Sequence, residues 1–238
     1  MPSYYEQPSP FPLKGGCSCG HIRYTVTEAP ILVHCCHCTA CQRETGSAFA
    51  INALVESSLI TLDPSCSPTI PGGPGSEPKP VSSILPMGKA PLNAASKSAT
   101  EEDDPFMTSP VPLSAADSPT PVLFPFPTES GFPQSIARCP RCSTALWSHY
   151  HAGFGPHVAF IRVGTLDNAW KVQPDAHIYT RSKVDFVTIA DGKPQFDEFY
   201  PNMNAVMRPE GLERYARISP KAIESAKAAS ARIRSSNS

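Results

Sequence analysis

The chain has 238 residues, of which 40% are hydrophobic and 17% charged, with a net charge of −1, enough material for one large domain or two small ones. That near-neutral balance offers no basic face to nucleic acid or to an anionic membrane surface, and no apolar run approaches the roughly 20 residues that span a bilayer. The nine cysteines are odd in number and nothing at the start reads as an export signal, so the expectation is a soluble, cytoplasmic protein whose thiols serve metal rather than disulfides.

Residues 1–12 carry prolines and tyrosines without a basic start or an apolar core, and read as a flexible leader. Folding is expected to begin near Leu13. Cys17 and Cys19 flank a single serine in a glycine-bounded turn, which sets two sulfurs on one side. Ile22, Tyr24 and Val26 then alternate with polar residues at the period of a half-buried strand. A second short strand, Ile31 to Val33, delivers His34 to Cys36 at its end. Cys36, Cys38 and Cys41 form a C-x-C-x2-C array, in which an extended piece offers two sulfurs and the following turn, Thr39 to Glu44, brings up a third. Gly46 would end that turn. Phe49 to Val55 reads as a mostly buried strand, with Leu59 to Leu62 as its partner after a Ser-Ser turn.

Residues 64–133 differ in kind. They hold 16 of the 28 prolines, mixed with Ser, Thr, Gly and an acidic patch at Glu101 to Asp104. Such a stretch cannot donate enough backbone hydrogen bonds or bury enough apolar area to offset its ordering entropy, so it is expected to be a disordered insertion. The apolar run Val122 to Pro127 within it is a segment that could dock on the domain. Beyond it Cys139-Pro140-Arg141-Cys142 has the spacing of a zinc hook. Strands are expected at Ala145 to Tyr150, Val158 to Val163, Ile178 to Thr180 and Val184 to Ile189, with a tight turn at Asp191-Gly192. Ser219-Pro220 resembles a cap followed by proline at the first helical position, opening a weakly docked C-terminal helix over Ala222 to Arg234.

The cysteines divide by number. Cys17, Cys19, Cys139 and Cys142 make a quartet, and four thiolates around zinc leave no vacancy, so such a site would staple the N-terminal strands to a much later segment. Cys36, Cys38 and Cys41 make a trio. Zinc prefers four ligands and keeps an exchangeable position wherever chemistry occurs, so three close cysteines suggest an open, reactive site.

The stretches Gly16 to Tyr24, Cys36 to Arg43 with Gly46 to Ala50, and Arg138 to Cys142, followed by Gly164 to Asp167 and Pro174 to Ile178, resemble the glutathione-dependent formaldehyde-activating enzyme family, also named for centromere protein V. The resemblance covers about residues 14–63 and 134–200, in the family's order. It implies a mainly β, Mss4-like zinc-bound sheet fold, which together with the composition and patterns above is expected to be discontinuous over 13–63 and 134–205, with the insertion at 64–133 and a helix and tail over 206–238. By motif position it assigns a structural zinc to Cys17, Cys19, Cys139 and Cys142 and a catalytic zinc to Cys36, Cys38 and Cys41. It departs from the family near Phe186, where a tryptophan is common.

The activity the resemblance implies is zinc-dependent carbon–sulfur lyase chemistry on glutathione adducts, similar to S-(hydroxymethyl)glutathione synthase, with glutathione or a glutathione conjugate as co-substrate. The alternative is a non-catalytic, zinc-ordered binding module of the centromere protein V type. Zinc held by three thiolates is formally negative and suits a soft substrate thiolate as fourth ligand. Proton transfer to the product hydroxyl needs an acid, for which His37, Asp167 and His177 are the candidates. Arg43, beside the trio, is the candidate to receive a glutathione carboxylate; Arg23, Lys171, Arg181 and Lys183 are further cations.

Overall fold

The computed structural model describes residues 4–5, 9–63, 69–70, 79–80, 120–126, 128, 133–151 and 154–236, with side chains through residue 224 of the last helix. The architecture is mainly β. A seven-stranded sheet runs in the order β12-β3-β4-β11-β10-β9-β8 and a three-stranded sheet in the order β1-β2-β5. The members of the large sheet are β3 (Leu32–Cys36), β4 (Ala50–Glu56), β8 (Val122–Phe126), β9 (Gln134–Arg138), β10 (Ala145–Tyr150), β11 (Val158–Arg162) and β12 (Ala176–Ile178). Those of the small sheet are β1 (Leu13–Gly16), β2 (Arg23–Val26) and β5 (Ile60–Asp63). A separate two-residue ladder joins β6 (Thr69–Ile70) to β7 (Lys79–Pro80).

Alternation along the central strands creates two cores, one on each face of the large sheet. Val33, Ala53, Val55, Ala159 and Ile161 turn toward the small sheet and meet Leu13, Ile22, Tyr24 and Val26. Leu32, Cys36, Ala50, Leu54, Val158 and Phe160 turn the other way and meet Met207 and Ile218 of the C-terminal region. Leu54 and Val55 are both 0% exposed and sit on opposite faces. Each such side chain contributes about 1.5–3 kcal/mol, so β4 and its neighbours anchor both layers.

Among the described residues two α-helices complete the fold, α1 (Thr39–Thr45) and α2 (Pro209–Ser236). The expected turn after the trio is α1. Cys38 caps it, its sulfur accepting from the Cys41 amide at 3.3 Å. Gly46, at φ +62°, takes the left-handed position that ends it, as the sequence predicts.

Several expectations need correction. Leu59 to Leu62 does not pair with β4, whose two edges are occupied by β3 and β11. A short 3-10 turn at Ser57–Leu59 redirects the chain, and β5 pairs with β2 instead. The leader docks: Tyr4 is 1% exposed and donates to Asp175 Oδ2 at 2.5 Å, and Arg208 lies over both Tyr4 and Tyr5. Val122–Phe126 adds an antiparallel strand to β9, so the folded sheet begins again before residue 133. Most of the expected disordered stretch, including Glu101 to Asp104, lies outside the described residues. Val184 to Ile189 forms no strand; it is an irregular, largely exposed segment with Phe186 at 82% exposure. Ile178 ends β12 rather than beginning a strand, because Tyr179 turns left-handed at φ 56° into a 3-10 turn.

The C-terminal helix begins ten residues before the predicted cap, at Pro209, and runs through Pro220. Tertiary docking outweighs the missing hydrogen bond at Pro220. Gly211 is pressed so closely on β3's approach that a Cβ there would lie 2.6 Å from the Ile31 carbonyl oxygen. Leu212, Tyr215 and Ile218 pack behind it, and Arg214 pairs with Glu56 and donates to the Ala29 carbonyl at 2.6 Å. No helix among the described residues is long and apolar enough to cross a membrane.

Candidate functional site

The chain gathers its cysteines into the two groups that ligand counting separates. In the first, one sulfur from each of Cys17, Cys19, Cys139 and Cys142 lies within 4.8 Å of the others. Two turns build it. Cys17 N donates to Ile22 O at 3.0 Å, and Cys139 N donates to Thr144 O at 3.0 Å, so each pair sits on a hairpin-like knuckle. Ser18 and Thr144 hydrogen-bond across the gap between the knuckles. The group faces the small-sheet core, which includes Cys17 and Cys139.

The second group is Cys36, Cys38 and Cys41, again within 4.8 Å and all buried. It faces the helix-side core. The sulfurs of both groups are crowded enough that they cannot all ionise alone. S–H bonds from Cys36 and Cys41 hold the Cys38 thiol down to about 3 and drive Cys36 well up, while Cys41, lowered by its bond with Cys36, is still pushed up to about 12 by Cys38 and by burial. In the quartet, the Cys17 hydrogen bond holds Cys142 down to about 3 and Cys17 is driven far up. Soft donors packed this closely suit a dication, whose binding would expel protons from the sulfurs. Both donor sets therefore fit zinc in ligand type and spacing.

Around the trio stands a buried polar frame. Arg162, 5% exposed, reaches Asn52 Oδ1 and pairs with Glu44 Oε2 at 2.6 Å. Glu44 belongs to α1, so this pair clamps the helix that carries Cys41 onto β11. Burial works against the Arg162 charge, yet Glu44, Tyr150 and Cys41 raise its pKa above the usual guanidinium value. Burial, with the negative field of Cys41, holds the Tyr150 phenol well above its ordinary range. His34 shares the face of Cys36 by alternation, packs against Phe160, Phe199 and Tyr200, and is driven down to about 3 by burial and by Arg162. It is a neutral imidazole with a buried, unpartnered Nδ1.

The proton-transfer candidates fall elsewhere. Asp167 is locked against Arg23, Oδ1 accepting from Nη1 at 2.9 Å, in the layer near β1. His37 and His177 meet one another, Nε2 to Nδ1 at 3.0 Å, and His177 Nε2 contacts Asp191 Oδ2 at 2.8 Å. Their donor atoms group with Cys35 and not with the trio. Alternation is the cause: Cys36 and Cys38 turn to the helix face and the intervening His37 turns away. Arg43 lies exposed in the last turn of α1. Of the other cations, Arg23 serves Asp167, Arg181 serves Glu198, Lys183 donates to the Val184 and Val187 carbonyls, and Lys171 lies over Trp170.

Sequence reasoning passed over Glu44, Tyr150, Arg162, Asp191 and the donor role open to Cys35. The parity of β3 was a usable signal, since it separates His34 and Cys36 from Cys35 and His37. Arg162 and Tyr150 gave none, because their partners come from α1 and a neighbouring strand.

No curated protein matches the chain. A family model, that of the glutathione-dependent formaldehyde-activating enzyme, matches residues 12–69 and 115–182, spanning both halves of the fold and all seven cysteines of the quartet and the trio. By that match over more than half its length, the chain belongs to the glutathione-dependent formaldehyde-activating enzyme family.

Proposed function

We propose that the chain is a zinc-dependent carbon–sulfur lyase that joins glutathione to a small aldehyde, and releases it again, with a structural zinc on Cys17, Cys19, Cys139 and Cys142 and a catalytic zinc on Cys36, Cys38 and Cys41. The observation that carries this reading is the trio: among the described residues its group contains three donors, all from one short stretch, with no fourth protein ligand. Zinc held there would supply a Lewis-acidic position suited to a soft thiolate.

In the forward direction the glutathione sulfur bonds to the carbonyl carbon, the carbonyl π pair moves to oxygen, and the thiol's proton ends on that oxygen as the new hydroxyl. The reverse step breaks the same carbon–sulfur bond. The chain's own contribution is positioning. Cys36, Cys38 and Cys41 would hold the metal; Glu44 and Arg162 hold α1 so that the three sulfurs stay together. Arg162 also balances the negative charge of the sulfurs. Tyr150 keeps its proton and offers a hydrogen-bond donor on this face, a role that His37 and His177, on the opposite face, do not share. Arg43, beside the trio and in solvent, is suited to a glutathione carboxylate.

Native mass spectrometry of the full chain with and without glutathione tests this. A glutathione adduct that requires the trio's metal is expected, lost in Cys38→Ser with the fold intact, whereas Cys19→Ser unfolds the protein. If both changes unfold it equally and glutathione never binds, the chain is a zinc-ordered binding module and the lyase reading fails.

A further inference from the structure

Neither the family's two zinc sites nor the lyase chemistry uses the donors on the reverse face of β3. We propose that Cys35, His37 and His177 form a third metal site, for a borderline divalent ion such as zinc, with Asp191 orienting one ligand from behind.

The backbone brings the three together. Among the described strands of the large sheet, β12 is the one that pairs parallel, with β3, and its register sets His177 directly beside Cys35. The His37 amide extends the pairing by donating to the Ile178 carbonyl at 2.9 Å. Cys35 and His37 then share one side of the extended chain, as His177 does from β12. One donor atom from each lies within 4.8 Å of the others, and the residues are 2%, 0% and 7% exposed. Tetrahedral zinc with sulfur and imidazole ligands separates its donors by roughly 3.3–3.6 Å, so the two ring nitrogens, now 3.0 Å apart, would widen slightly around an ion while the Cys35 sulfur, within 4.8 Å of the ring donors, stays in reach.

The second shell points the same way. Asp191 engages Nε2 of His177 at 2.8 Å, which directs the lone pair of Nδ1 toward His37 and Cys35. A carboxylate behind an imidazole is the usual support of a metal-ligating histidine. Gln42 holds the backbone on which His37 sits, donating to the His37 carbonyl at 2.7 Å and to the Ser182 carbonyl at 2.8 Å. A simple hydrogen bond between the two imidazoles would leave the buried Cys35 thiol beside them without a role. An ion gives the thiol and both rings a shared purpose. Because the site lies across the sheet from the trio, its ion would be separate from the catalytic one.

The test is metal counting on the full chain with zinc, paired with cobalt titration. Cys35→Ser and His177→Gln are each expected to carry one ion fewer than the unsubstituted protein, with circular dichroism unchanged, and Cys35→Ser is expected to remove one thiolate-to-cobalt absorption component. Asp191→Asn, at an exposed residue that is not itself a ligand, is expected to weaken cobalt at this site by about 10–100-fold while the other ions remain. Equal metal counts in Cys35→Ser, His177→Gln and the parent overturn the proposal. Should the buried variants fail to fold, unchanged cobalt affinity in Asp191→Asn overturns it alone. Failure of the lyase reading would appear instead as loss of glutathione binding at the trio, a separate signal.

Discussion

The Glu44–Arg162 pair holds α1, and with it Cys41, against the sheet, so its removal should be felt both in stability and in metal retention. The Glu44 side chain is 0% exposed and that of Arg162 6%, with Oε2 at 2.6 Å from Nη2 and Arg138 at 3.6 Å from Oε1. Deleting one partner of a buried pair leaves the other charge uncompensated, at a cost of about 3–5 kcal/mol. Arg162 retains Asn52 as a partner in Glu44→Gln, which argues for the lower end, about 3 kcal/mol, or roughly a hundredfold in the unfolding equilibrium. Arg162→Leu should cost more, because it strands Glu44 beside the sulfurs. The double change Glu44→Gln/Arg162→Leu removes both charges, and should cost clearly less than the sum of the singles. Urea denaturation of the zinc-loaded chain at neutral pH measures all four proteins, and metal counting shows whether the trio's ion departs first. Single-variant losses below about 1 kcal/mol, or strict additivity in the double variant, would refute the clamp.

Other expectations follow from particular contacts. Gly211→Ala should destabilise by about 1–3 kcal/mol through overpacking against the Ile31 carbonyl, although in an exposed helix the same change stabilises by about 1 kcal/mol; thermal melting decides the sign. Tyr4→Phe should cost about 1.5–3 kcal/mol by removing a hydrogen bond to the half-buried Asp175 carboxylate, and chemical denaturation with no measurable change would mean the leader does not dock. Burial lowers the pKa of His149 despite its contact with the Val158 carbonyl at 3.0 Å, so the folded state binds fewer protons than the unfolded one below the usual imidazole value. Its contribution is intact above about pH 6.5 and is lost as pH falls through that value, by up to about 1.4 kcal/mol per pH unit; His149→Gln should flatten the acid limb of the stability profile.

The strands were legible wherever a local pattern decided them. Tyr24 and Val26 gave a period of two, the run of strand formers from Val158 marked a strand, and Gly46 marked the end of α1. What the sequence left obscure was pairing and docking. Nothing local tells β5 that β4 is already flanked, or that Tyr4 finds Asp175 across most of the chain. Pro220 looked like a beginning because proline favours that position, and the docking of Gly211 on Ile31 is invisible without the third dimension. Val184 to Ile189 has strand-forming residues but finds no free ladder. At the site, the sorting of sulfurs into four and three followed from spacing, whereas the fate of His37 depended on which way one extended residue turned.

β3 carries dissimilar chemistry on its two sides within five residues, His34 and Cys36 on one and Cys35 on the other. A one-residue slip would therefore not erase a donor set but transpose it, bringing Cys35 and His37 under the C-terminal helix and sending Cys36 and Cys38 beneath the small sheet. Adjacent cysteines make that error chemically tolerable and structurally hard to notice. Fidelity must come from neighbours that are not interchangeable, Leu32 and Val33 above all, so conservative changes there should scramble which ion the protein holds before they unfold it.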